Sequence, residues 1–265
     1  MKDKILMITK RLSKYIKYIL AIIFYILCMQ FLGNLIVPIV KSILKLNYFN
    51  LLAAHYHDPF SYYTFFYNQS IGTANSILQF IMYFIIFIGL IAILFKEISF
   101  DISDYKAHRE DRDRSLLTSF LIYFGINLFT NFLVIILSKY LDVSVISQNQ
   151  ASLETMASSS LLSYFILGVT VVIIGPLVEE LIFRKSMFKL IPNDILAIVI
   201  SSLLFGLMHT IGYNYSIQEL LVVTLPYLAS GVAFGLCYKL SNHNILIVYG
   251  MHAALNLFSL FMMLY

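Results

Sequence analysis

Apolar residues fill this chain in long unbroken runs rather than at one-sided helical spacings. Runs of roughly 17 to 25 residues can cross a bilayer as helices, and they recur near 16–40, 76–96, 116–138, 160–183, 194–211, 219–239 and 245–264. The pattern predicts an all-α, polytopic membrane helical bundle of about seven to eight transmembrane helices, with seven as the working count. Composition agrees: 60% of the 265 residues are hydrophobic, 12% are charged and mean hydropathy is +0.84, values that exclude a soluble domain of this length.

Charge orients the bundle. Of the 18 Lys and Arg, Lys2, Lys4, Lys10, Arg11, Lys14 and Lys17 precede the first span, and Lys96, Lys106, Arg109, Arg112 and Arg114 follow the second. Arg184, Lys185 and Lys189 follow the fourth and Lys239 the sixth, which makes fifteen on one side against Lys41, Lys45 and Lys139 on the other. The positive-inside rule then predicts a cytoplasmic N-terminus and an outside C-terminus, and the expected location is the plasma membrane. The net charge of +4 is accounted for by this bias and leaves no nucleic-acid footprint. The first span is too long for a signal peptide and lacks a small-residue cleavage site. Cys28 and Cys237 both fall inside spans, so no disulfide framework is expected.

Between spans, 41–75 reads as an outward aromatic loop. His55, His57 and Asp58 there have a metal-ligand spacing but read as solvated, and Asn68-Gln69-Ser70 matches a glycosylation sequon. The segment 101–115, DISDYKAHREDRDRS, reads as a solvated inner connector. Asn127 and Asn131, four apart, are expected to hydrogen-bond a neighbouring helix, and Gly231 and Gly235 to permit close helix packing. The chain reads as one integrated membrane domain, with N-terminal helices over 1–150 and a functional core over 151–265.

Chemistry concentrates in the part of the chain from Pro176 onward. The stretch PLVEELIFRK puts Glu179, Glu180 and Arg184 at the end of an apolar run, FGLMH ends on His209, and HAALN carries His252 and Asn256. Intramembrane ionisable groups are costly and face an interior, where they pair. Phe205 with His209, and His252 with Asn256, are each spaced by four and so share a helix face. Glu179 and Glu180 diverge by about 100° around a helix. Glu180 can therefore pair with Arg184 four residues on, leaving Glu179 to face the histidines, while Gly175 and Pro176 loosen the helix just before.

A buried carboxylate of this kind can take a proton from water, with the histidines and the amide holding the water or stabilising an oxyanion. Alternatively Glu179, His209 and His252 bind Zn2+, which would activate the water itself. The residues leave both open, although the HExxH pattern of zinc proteases is absent.

EELIFR, FGLMH and HAALN match, in order, the EExxxR, FxxxH and HxxxN motifs of the CPBP family, and the chain resembles that family over roughly 155–265. The family groups CAAX-prenyl endopeptidases with bacteriocin-processing and abortive-infection-type proteins. The resemblance implies an intramembrane protease, often called a metalloprotease, whose cavity opens towards the cytoplasm. It makes Glu179 the catalytic glutamate, His209 and His252 its partners, Asn256 an oxyanion or water-orienting group, and Glu180 and Arg184 a supporting pair.

Matching the depths of these residues requires the fourth helix to continue to about Leu190, with Arg184 inside and Lys185 snorkelling. The expected substrate is a membrane-associated protein or peptide, and a composition rich in Ile, Lys, Asn, Tyr and Phe favours pheromone or bacteriocin maturation, or immunity, over prenylated proteins. Two other classes remain: a non-proteolytic scaffold or immunity protein that binds a partner, and a proton-coupled transporter.

Overall fold

The computed structural model describes the backbone of residues 15–32, 34, 35, 38, 42, 59–143 and 146–263, and the side chains of these outside 59–70. His55, His57 and Asp58 lie outside the described residues, as do the side chains of Asn68, Gln69 and Ser70. Eight helices are described. They are α1 (Tyr15–Leu32), α2 (Pro59–Ala107), α3 (Arg109–Leu141), α4 (Gln148–Ser159), α5 (Leu161–Leu190), α6 (Asp194–Thr210), α7 (Ile217–Leu240) and α8 (Ile245–Met262).

Six of them are long and apolar enough to cross a membrane, and α6, at 17 residues, is a shorter apolar helix. The chain is therefore a multi-pass membrane protein. Seven apolar stretches were expected, and each contains a described helix. Helix α3 leaves Leu121, Phe124, Leu128 and Phe132 all well exposed, an apolar surface suited to hydrocarbon.

Local sequence sets the boundaries. Asn193 accepts a hydrogen bond from Leu196 N to cap α6, and Asn244 accepts one from Leu246 N to cap α8. Ser216 and Glu219 form a reciprocal capping box on α7, so each orphaned N–H group of a first turn finds an oxygen. Proline at the first position starts α2, a place where its missing N–H costs nothing. As a result the aromatic segment assigned to a loop over 41–75 is helical from Pro59 onward.

The stretch 101–115 is largely exposed, as a solvated connector would be, but it is helical and two of its charges, Asp101 and Arg112, are buried. It is the end of α2 and the start of α3, broken only at His108. Asp101 is 2% exposed and pairs with Lys185, while Arg112 donates to both oxygens of Asp104 at 3.0 Å. Two acids of that alternation, Asp101 and Asp104, supply partners for α5 and for the start of α8.

Lys185 consequently does not snorkel. Its ammonium is held by Asp101, which also accepts from Ile245 N at 3.1 Å, and Asn244 Nδ2 donates to Asp101 O at 2.9 Å. One carboxylate thus ties α2, α5 and the start of α8 together. Asn127 also departs from expectation, since it donates to Tyr123 O of its own helix, and Asn131 is exposed on the lipid-facing side. Local back-bonding competes with an interhelical bond when no acceptor is in reach.

Helix α7 packs along both α6 and α3. The closest approach is at Gly231, where a Cβ would come 2.8 Å from Ser202 Cα, and at Gly235, where it would come 3.0 Å from Ile198. The glycine pair therefore does set the α6–α7 spacing. Gly231→Val is expected to cost about 1–3 kcal/mol by overpacking against backbone that cannot yield. Thermal unfolding in detergent would show the drop, whereas Gly250→Ala, with nothing within 4 Å of its Cβ, should be neutral or slightly stabilising.

Candidate active site

Helix α5 is continuous from Leu161 to Leu190, but two of its turns are wide. Over Val169–Ile174 the backbone takes a π-helical register, with Gly175 N donating to Thr170 O five residues back. In that register the partner of Val171 O would be residue 176, a proline without an N–H. Asn256 Nδ2 of α8 fills the gap at 2.7 Å. A second wide turn spans Leu181–Ser186. Both flank the short α-helical segment Gly175–Glu180 that presents the carboxylates.

The two glutamates point apart, as their spacing demands. Glu180 and Arg184 are both 0% exposed and form an ion pair at 3.2 Å. Arg184 also donates to Gly231 O at 3.2 Å, and its guanidinium lies 5.1 Å from the Phe205 ring centre and 5.3 Å from that of Phe234. Weakly hydrated and planar, a guanidinium tolerates such an aromatic cage better than an ammonium would.

Glu180 does more than pair with Arg184. Its other oxygen accepts from His252 Nδ1 at 2.8 Å, so the division of labour expected from spacing is incomplete: Glu180 bridges Arg184 and His252. With Nδ1–H committed to a carboxylate, the ring tautomer and orientation are fixed. Nε2 then faces Glu179 across 3.8 Å, too far for a direct hydrogen bond. Phe234 stacks on the imidazole at 4.3 Å.

Glu179 sits on the other side of this gap, 7% exposed, with Tyr83 Oη donating to it at 3.4 Å. Tyr83 was not singled out in the sequence. The available signal was a tyrosine at the middle of α2 rather than near either membrane interface, where such rings usually sit.

His209 and Asn256 line the same cavity but not the same contact. His209 Nδ1 bonds to Phe205 O at 2.8 Å, and its ring stacks on Tyr227 at 4.7 Å and leans on Phe205 at 4.5 Å. Phe205 is buried and touches Arg184, His209 and His252 together. Asn256 spends one N–H on Val171 O and keeps a second for the cavity.

That cavity has a volume of about 490 Å³. Glu179, Phe205, Phe234 and His252 are among its lining residues, with Gln79, Tyr83, Tyr123 and Ser230 on the walls. Among the described residues no three His, Cys, Asp or Glu side chains converge closely enough to hold a metal ion. The ligand set Glu179, His209 and His252 is therefore not assembled. His209 is turned to its own helix and the Tyr227 ring, and the remaining pair falls one protein ligand short of the three usual for catalytic zinc.

Comparison with other proteins agrees with the motifs. Residues 161–258 match the Rce1-like family, described as type II CAAX prenyl endopeptidase Rce1-like. An uncharacterised protein of Mycoplasma capricolum subsp. capricolum is 35% identical over 89 residues, 33% of this chain and 24% of that protein. From Lactococcus lactis subsp. lactis, UPF0177 protein YajF is 42% identical over 67 residues, 25% of this chain and 32% of the relative. UPF0177 protein YxdF, from the same organism, is 33% identical over 132 residues, 49% of this chain and 67% of the relative. The chain thus spans only a quarter to a third of the first two relatives. No solved structure matches. With EELIFR, FGLMH and HAALN all inside the matched segment, on α5, α6 and α8 around one cavity, the chain belongs to the CPBP family of membrane endopeptidases.

Proposed function

We propose that this protein is an intramembrane endopeptidase that hydrolyses a peptide bond of a membrane-associated protein or peptide by glutamate-activated water. The observation that carries the reading is the pairing of Glu179 with a histidine whose far nitrogen is anchored on a second, charge-balanced glutamate. A water in the 3.8 Å gap between Glu179 and His252 Nε2 can donate to both.

The steps follow from the residues. Glu179 removes a proton from the water as its oxygen bonds to the substrate carbonyl carbon. His252, held in one tautomer by Glu180, orients that water, and Arg184 holds Glu180 in place so that the orientation persists. The second N–H of Asn256 faces the cavity and can donate to the developing oxyanion, with His209 a further polar group on the same wall. Glu179 then returns its proton to the amide nitrogen as the C–N bond breaks. No step needs a metal.

Membership of a membrane endopeptidase family and the bacterial sources of the similar proteins support this reading. A short exported or membrane-inserted peptide, such as a pheromone or bacteriocin precursor, fits a bacterial setting better than a prenylated protein.

The test is proteolysis of a panel of fluorogenic membrane and leader peptides by the purified full-length protein, with products identified by mass spectrometry. Cleavage is expected, and the rate should be unchanged by a strong divalent-metal chelator. Loss of activity on chelation, restored by Zn2+, would overturn the metal-free mechanism. If no peptide is cut and a Glu179→Ala strain matches wild type in cells, the fold acts as a binding scaffold instead.

A further inference from the structure

The two ends of the bundle differ in charge, and among the described residues the lining of the cavity reaches one of them. One end carries the start of α1, the α2–α3 and α5–α6 junctions and the α7–α8 turn. It is marked by the pairs Lys17–Glu97, Arg112–Asp104, Lys185–Asp101 and His243–Asp194. Fifteen of the 18 Lys and Arg belong to this side by their place in the sequence. The opposite end carries α4, the 211–216 segment and the end of α8.

The rim of the cavity belongs to that opposite end. It is formed by Asn149, Gln150 and Leu153 of α4, by Gly212 and Tyr213 beyond α6, and by Met263 beyond α8. His209 stands 15 residues along α6 from Asp194, about 22 Å from the basic end at a helical rise of 1.5 Å per residue. Tyr227, on which His209 stacks, bonds to Ser147 Oγ at 2.6 Å and so fastens the start of α4 beside the opening. A cavity opening to the cytoplasm and a positive-inside orientation therefore cannot both hold for this chain.

Resting on the endopeptidase reading above, we propose that the cavity is loaded from the extracytoplasmic side, so that the substrate is a peptide segment presented at the outer face of the membrane. The basic residues decide the orientation, since a fifteen-to-three bias is far beyond what is needed to set topology. The rim fits this substrate class. Its polar groups are neutral amides and a phenol, and Glu179 is the one carboxylate among the lining residues. An uncharged extended segment can lay its backbone against such amides, whereas an acidic one is repelled by the Glu179 carboxylate.

Single cysteines read the sidedness without requiring activity. In a Cys28→Ala, Cys237→Ala background, Gln150→Cys and Asn214→Cys mark the rim and Glu110→Cys the basic end. Each is exposed to a membrane-impermeant maleimide in right-side-out spheroplasts and in inverted vesicles. Rim labelling at least tenfold faster in spheroplasts, with the reverse for Glu110→Cys, is the expected result. Rim labelling only in inverted vesicles, or equal labelling in both, overturns the proposal. A cleavage assay on the same preparations separates the two claims: correct labelling with no cleavage of any peptide would fault the endopeptidase reading and leave the sidedness standing.

Discussion

Glu179→Gln should abolish peptide cleavage, lowering kcat/KM by roughly two to four orders of magnitude, the range typical of a positioned general base. The substitution keeps the shape of the side chain and removes only its ability to take a proton. It should barely disturb the fold, because among the described residues Glu179 has no salt bridge to Arg or Lys, and its partners there are Tyr83 at 3.4 Å and His252 at 3.8 Å. Unfolding midpoint and detergent-solubilised yield are therefore expected to match wild type. Tyr83→Phe, which removes a long and weak contact, should reduce the rate far less. Wild-type cleavage by Glu179→Gln would mean that another group activates the water.

The second large effect is on stability and is asymmetric. Glu180→Leu strips both partners of its carboxylate at once, leaving Arg184 fully buried with a guanidinium NH1 that already lacks a hydrogen-bond partner. An uncompensated buried charge of this kind costs about 3–5 kcal/mol. Arg184→Leu should cost less, because Glu180 keeps its hydrogen bond from His252 Nδ1. The double variant Glu180→Leu, Arg184→Leu should recover part of the loss, since the two residues share one interaction and their effects cannot add. Unfolding in detergent would measure all three. Equal or simply additive losses would contradict the bridging role of Glu180.

The arrangement of the site was legible where it depends on spacing along one helix. Consecutive glutamates must diverge, residues four apart must share a face, and the depth of Glu179 required α5 to run on to Leu190, as it does. The rest depends on which helices meet at which height. Lys185 and Asp101 are 84 positions apart, so nothing local in RKSMFKL or DISDY announces their pairing, and each looked like an ordinary charged flank. The contact of Glu180 with His252 was hidden for the same reason.

Asn127 failed in the other direction. Four-residue spacing showed that Asn127 and Asn131 share a face, but not that the face is turned to lipid. The assistance that Asn256 gives to Val171 O was also concealed. It follows from a change of helical register that only Pro176 hints at, through the donor it lacks.

The central claim is that Glu179 activates a water which attacks the peptide bond directly. Single-turnover cleavage in 18O-labelled water, with enzyme in excess over a peptide it cuts, tests this most directly. Direct attack predicts one 18O in the new C-terminal carboxylate of the product and none in the protein. An unlabelled product, with 18O recovered on the Glu179 side chain, would show that the glutamate itself attacks to form an acyl intermediate, and the account of the site would have to be rebuilt around that bond.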